Sequence, residues 1–179
     1  MQILYLIIGL IGLTMVFFGA KWLLRSKAIV KLPIAEKIKN FTINRSGLYS
    51  VCILGGGYLK TSVGFKILIS KSNSQEKIRL KENFLKWRFR KNREIGVEYL
   101  HFEIENIGEY HIEIQNPENL TVKKSRSILQ SDKPIQSVEI LIKESVSVAK
   151  KLFGVIFLVL GVNISFWGIM LAINPNPFG

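Results

Sequence analysis

FEIENIGEYHIEI, residues 102–114, repeats the pattern of FTINRSGLYSVCI, residues 41–53, at an offset of 61 positions. Both read F-x-I-x-x-x-G-x-Y-x-[VI]-x-I. Apolar residues at every second position describe strands with one buried face. A glycine interrupts each copy where the backbone is expected to need positive φ. One reading is a three-residue hairpin loop with glycine in its third position, Arg45-Ser46-Gly47 and Asn106-Ile107-Gly108. The other is that the chain changes sheets at each glycine.

The spacing Gly47-x-Tyr49-x-Val51, repeated as Gly108-x-Tyr110-x-Ile112, resembles the tyrosine corner of immunoglobulin-like sandwiches. There a tyrosine hydroxyl bonds the backbone a few residues upstream. The resemblance covers about six residues per copy and implies a β-sandwich, not a family. The aspartate common before the glycine is absent, and so is the Cys–Trp–Cys core.

Further strand-like runs flank the two copies: residues 64–70, 76–80, 84–90, 97–105 and 136–143. Turn signals separate them at Gly55-Gly56-Gly57, Ser72-Asn73-Ser74, Asn92, residues 116–119 and Asp132-Lys133-Pro134. The expected fold is one antiparallel β-sandwich of about eight strands, immunoglobulin-like or jelly-roll-like, over residues 41–147. Residues 26–40, with Pro33, read as a linker containing a short helix at 35–39.

Farther out the charges stop. Every Lys, Arg, Asp and Glu lies between Lys21 and Lys151. Beyond them are ILYLIIGLIGLTMVFFGA, residues 3–20, and LFGVIFLVLGVNISFWGIMLAI, residues 152–173. A helix of about 20 apolar residues crosses the hydrocarbon of a bilayer. The expected class is therefore an α+β membrane protein. Its spans lie within residues 1–25 and 148–173, with a short tail at 174–179. The basic residues follow the first apolar run instead of preceding it, so it reads as a retained span and not a signal peptide. Asn174-Pro175-Asn176-Pro177 is expected to end the second helix.

Lys21, Arg25, Lys27 and Lys31 flank the first span, and Lys143, Lys150 and Lys151 the second. The positive-inside rule then places the β-domain in the cytoplasm and both termini across the membrane, a bacterial inner membrane being the expected one. Gly12 and Gly19, and Gly154, Gly161 and Gly168, recur at seven-residue spacing and return to one helix face. Small residues there let two helices approach closely. Thr14 and Asn163 are placed to hydrogen-bond across the pair. Neither apolar core holds an ionisable residue, which favours a rigid anchor over a pore or channel component.

The net charge of +12 belongs to the middle region and suits anionic partners. The basic run FLKWRFRKNR, residues 84–93, is its densest part. As a strand it sets Lys86, Arg88 and Arg90 on one face and Trp87 and Phe89 on the other. With Lys91 and Arg93 these cations form a candidate anion- or lipid-binding ribbon. Its bland counterpart is a solvated face paired with Glu103 and Glu105 on the next strand. Nucleic acid is disfavoured as a ligand, because alternation buries the aromatic rings that would stack on bases.

His101, Glu103, Glu105, Glu109, His111 and Glu113 share one parity and read as a solvated, charge-rich face, without ligand spacing for a metal. Residues 55–61, GGGYLKT, lack the phosphate-loop spacing and read as a turn. Cys52 is the only cysteine and falls in an apolar strand pattern, as a small core residue. No catalytic, cofactor-binding or metal-binding set is expected. The expected function is binding: a membrane-anchored, immunity-, adaptor- or accessory-subunit-like domain that docks a protein partner. The alternative is a sensor of anionic membrane lipids.

Overall fold

The structure, a computed structural model, describes residues 2–24, 26–74, 76–91, 94–124 and 132–174. The expectations placed on Arg25, Asn92, Arg93 and the prolines after Asn174 lie outside the described residues. The chain divides into two compact units, Met1–Ser26 with Val146–Gly179, and Lys27–Ser145.

The first unit holds two helices long and apolar enough to cross a membrane, α1 (Gln2–Leu24) and α2 (Val148–Ile173). Ser147 caps α2, its Oγ accepting from the Lys150 N–H at 3.3 Å. At the other end the Asn174 N–H donates to the Met170 carbonyl. The helices run antiparallel, with Gly9 against Gly168, Gly12 against Gly161 and Gly19 against Gly154.

The second unit is antiparallel throughout. Its strands are β1 (Ala28–Pro33), β2 (Ile38–Ile43), β3 (Gly47–Leu54), β4 (Tyr58–Thr61), β5 (Lys66–Lys71), β6 (Lys81–Glu82), β7 (Arg88–Lys91), β8 (Glu94–Ile104), β9 (Gly108–Gln115), β10 (Leu120–Lys123) and β11 (Glu139–Glu144). One sheet runs β1-β11-β3-β8-β6, with β7 also on β8. A second runs β2-β9-β5, and a third pairs β10 with β4. All three sheets contribute to one buried cluster, which includes Leu32, Ile43, Tyr49, Ile69, Phe102, Tyr110, Val122 and Ile140.

Four expectations are corrected. The linker 26–40 is largely strand: β1 lies along β11, and β2 begins at Ile38 where a short helix was expected. Pro33 is tolerated because it ends an edge strand, where its missing N–H removes no ladder bond. Residues 76–80 form no strand, only an isolated bridge of Lys77 to Ser70, flanked by the bonds from the Lys71 N–H to the Glu76 carbonyl and from the Ile78 N–H to the Ile69 carbonyl. Eleven strands are described, not about eight. The strands missed at Tyr58–Thr61 and Leu120–Lys123 are too short to show alternation.

The fourth correction concerns the repeat. Arg45–Gly47 and Asn106–Gly108 are not hairpin loops, since β2 and β3 belong to different sheets, as do β8 and β9. The chain changes sheet at each glycine. The two copies then pair with each other: Phe41 lies opposite Tyr110 and Ile43 opposite Gly108 in one sheet. In the other, Gly47 lies opposite Ile104 and Tyr49 opposite Phe102. The register is continuous across both turns, so the repeat builds a pseudo-twofold pair of corners.

Candidate functional site

The basic run does not extend as one strand. The Asn83 N–H donates to the Tyr99 carbonyl at 2.8 Å, and the Lys86 N–H donates back to the Asn83 carbonyl at 3.1 Å. This closes a tight turn over residues 83–86, with Lys86 at φ 42°. Phe84 and Leu85 stand at its apex, Phe84 94% exposed and Leu85 46% exposed. Strand geometry resumes only at Arg88. The single cationic face of Lys86, Arg88 and Arg90 is therefore corrected: positive φ at Lys86 breaks the alternation on which it depended.

The cations of this run have separate environments. Lys86 Nζ lies 2.9 Å from Glu82. The Arg88 Nε–H donates to the Gly57 carbonyl at 2.6 Å, and its guanidinium sits 4.2 Å from the centre of the Tyr58 ring. Arg90 is exposed, opposite Ile95, and Lys91 lies opposite Glu94. Glu103 and Glu105 are not the neighbours of this strand. β8 is eleven residues long, and β7 pairs with its first half, whereas Glu103 lies opposite Leu48. The acid at this end is Glu94, 3.7 Å from Lys133 and 3.9 Å from Lys31. Exposed pairs of this kind add little to stability.

Sequence reading missed what lies beneath. Lys143 Nζ is 2.9 Å from Glu98 Oε1, with side chains only 10% and 4% exposed. Asn83 Nδ2 donates to the other Glu98 oxygen at 3.4 Å, and Lys143 Nζ also lies 3.9 Å from the centre of the Phe89 ring. The turn that presents Phe84 is thus rooted, through Asn83, in a buried ion pair. Lys143, counted above as a membrane flank, belongs to β11 inside the domain. The signal for this pair was a charge set against apolar neighbours in each strand, Lys143 directly after Ile140-Leu141-Ile142 and Glu98 within IGVEYL. Ser50 Oγ, Asn83 Oδ1, Trp87 Nε1 and His101 Nδ1 are buried without a hydrogen-bond partner among the described residues.

At the corners, Gly47 has φ 146° and Gly108 φ 151°. Two residues on, the Tyr49 hydroxyl donates to the Arg45 carbonyl at 2.6 Å and the Tyr110 hydroxyl to the Asn106 carbonyl at 2.5 Å. Both tyrosines are 2% exposed. Burial pushes both phenol pKa values up, with Glu144 adding to the rise at Tyr49 and Glu76 at Tyr110.

In the helix pair, a Cβ on Gly12 would stand 2.8 Å from the Gly161 carbonyl oxygen, and one on Gly19 would stand 2.7 Å from that of Gly154. Gly9, which the seven-residue spacing did not include, also lies at the contact: a Cβ on Gly168 would stand 2.5 Å from the Gly9 nitrogen. Thr14 and Asn163 do not bond across the pair. Each is exposed and bonds four residues back on its own helix, Thr14 to Leu10 and Asn163 to Val159. Ser165, a polar side chain at the contact, donates to the Gly161 carbonyl.

The histidine- and glutamate-bearing parity splits between two sheets. His101 is on β8, whereas His111 is on β9, with Nε2 3.0 Å from Ser70 Oγ. Among the described residues no three His, Cys, Asp or Glu side chains gather as metal ligands do. Residues 55–57 form the turn from β3 to β4, and Cys52 is fully buried. No protein-family model matches this chain, and no curated protein matches it.

Proposed function

We propose that the protein is a membrane-anchored binding protein. In this reading α1 and α2 form a transmembrane hairpin, and the antiparallel sheets between them form a β-sandwich that docks a protein partner. The domain faces the cytoplasm of a bacterial cell, with both termini across the inner membrane, as the basic flanks imply. A cytoplasmic reporter signal from an insertion at Ser72–Ser74 and an external one from a fusion after Gly179 is the expected pattern. The reverse pattern would put the domain outside.

The observation that carries the docking reading is the turn of residues 83–86. A phenylalanine 94% exposed costs solubility and does nothing for the core. It is held in place by the backbone bond from Asn83 to Tyr99, by the Lys86–Asn83 bond that closes the turn and by the Asn83–Glu98 contact. Rigid aromatic side chains presented on a fixed backbone make good interface anchors, because little conformational freedom is lost on binding. The neighbouring Lys86 and Arg88 already have intramolecular partners, which weakens the case for a lipid-phosphate ribbon.

A photo-reactive amino acid at Phe84, in the full chain in its native membrane, tests this. The expected result is a discrete protein adduct that is absent when the probe replaces Thr42. Adducts with lipid alone would overturn the docking reading in favour of an anionic-lipid sensor. In that case, changing Lys86, Arg88 and Arg90 to Gln would lower lipid labelling in a salt-dependent way.

A further inference from the structure

Asn163 has no answer within the helix pair. It stands 11 residues after Leu152 and 10 before Ile173, at the centre of a run without charges. At 1.5 Å per residue that is about 15 Å from either end, the midplane of a bilayer for a spanning helix. Gly154, Gly161, Ser165 and Gly168 are buried on the α1 side. At 100° per residue, Asn163 points roughly opposite to them. It is exposed, among Ile156, Val159 and Phe166, which are 46%, 57% and 59% exposed.

Its amide is only partly used. Nδ2 donates one hydrogen bond, to the Val159 carbonyl at 2.7 Å. Oδ1 accepts none from the described residues. In water this would mean nothing. In hydrocarbon an amide oxygen and a second N–H without partners carry a desolvation penalty that an apolar side chain at that place does not. Thr14 differs, because its single hydroxyl proton is satisfied by the Leu10 carbonyl.

We infer that the α2 face centred on Asn163 binds the same face of a second copy of this chain. The inference rests on the membrane-anchor reading above. Two copies inserted in the same sense place equal residues at equal depth, so around a twofold axis Asn163 meets Asn163. A carboxamide is self-complementary: each Nδ2–H donates to the other copy's Oδ1, closing two reciprocal bonds with no foreign donor. A foreign helix would need its own polar residue at that one depth. The flanking Val159 and Phe166, one turn to either side, supply the apolar contact around the pair. Interhelical amide bonds of this kind are a recognised source of helix association in lipid.

The test uses the full chain in membranes. Val159→Cys places a thiol on the inferred face, about 40° from Asn163, and Val162→Cys places one about 100° from Asn163, on the far side of Val159. Cys52 is fully buried, and the wild-type chain gives the background. Oxidation should link Val159→Cys into a homodimer and leave Val162→Cys monomeric. Asn163→Leu in the Val159→Cys background should lower self-association about fivefold to thirtyfold, and Asn163→Gln should keep most of it. No homodimer from Val159→Cys, an undiminished one with Asn163→Leu, or a cross-link to a different protein would each overturn the inference. Alkaline carbonate extraction is run in parallel. A chain that resists extraction but does not dimerise refutes this inference alone, whereas a chain released by carbonate refutes the anchor reading and this inference with it.

Discussion

Tyr49 lies directly opposite Phe102 across two antiparallel strands, their ring centroids 5.7 Å apart and their planes inclined by 26°. The equivalent residues of the other sheet, Tyr110 and Phe41, face each other at 6.1 Å and 31°. Each repeat thus gives its phenylalanine to one sheet and its tyrosine to the other. Each tyrosine hydroxyl then ties the turn behind it. The two corners form one interlocked element at the centre of the core.

Gly47→Ala and Gly108→Ala should each destabilise the domain by about 1 kcal/mol or more, because φ is positive at both. Nothing stands within 4 Å of a Cβ at Gly47, so the cost there is backbone strain and not a clash. Unfolding of the detergent-solubilised chain, followed by tryptophan fluorescence, measures it. An unchanged midpoint would show that the turn relaxes freely.

Tyr49→Phe and Tyr110→Phe should each cost about 1 kcal/mol, the net worth of one hydrogen bond. Their pH signature is separate. A phenol whose folded pKa is raised holds its proton longer folded than unfolded, so its contribution is complete below the unfolded value of 10.0. It is lost as pH rises from there through the folded pKa. Stability should therefore fall above pH 10, more steeply in the wild type than in the double Phe variant. Parallel alkaline limbs would contradict this.

Lys143→Met alone should destabilise by about 3–5 kcal/mol, since it removes the cation 2.9 Å from the buried Glu98 carboxylate. Lys143→Met with Glu98→Gln should recover a large part of that loss, because no buried charge remains. A double-mutant cycle on unfolding free energies checks the coupling. Additive losses would mean that the pair is not desolvated.

Gly12→Val should loosen the helix pair, since its Cβ would stand 2.5 Å from the Ser165 nitrogen. Overpacking of this kind costs about 1–3 kcal/mol. Leu10→Val, on an exposed position of the same helix, is the control. Thermal denaturation in mild detergent should separate the two variants, and equal midpoints would place the contact elsewhere.

The amino-acid sequence by itself determined the features that depend on near neighbours. Charge-free runs about 20 residues long declare two helices, because length and polarity are local properties. The repeated Gly-x-Tyr marks both turns, because positive φ and a four-residue reach back to a carbonyl are local as well. Only the tertiary structure decided which strands pair. Whether Arg45–Gly47 closes a hairpin or switches sheets depends on Tyr49 finding Phe102, 53 residues away. Alternation cannot express that choice, since both outcomes bury the same parity.

The site follows the same division. The basic composition of residues 84–93 was plain, but the turn at Lys86 was not, because it is set by the Asn83 bonds to Tyr99 and Glu98. Lys143 looked like a flanking charge in a linear count. It became the partner of Glu98 only when β11 and β8 took places on either side of β3. Burial of a charge is decided by whatever covers it, and that covering comes from distant parts of the chain.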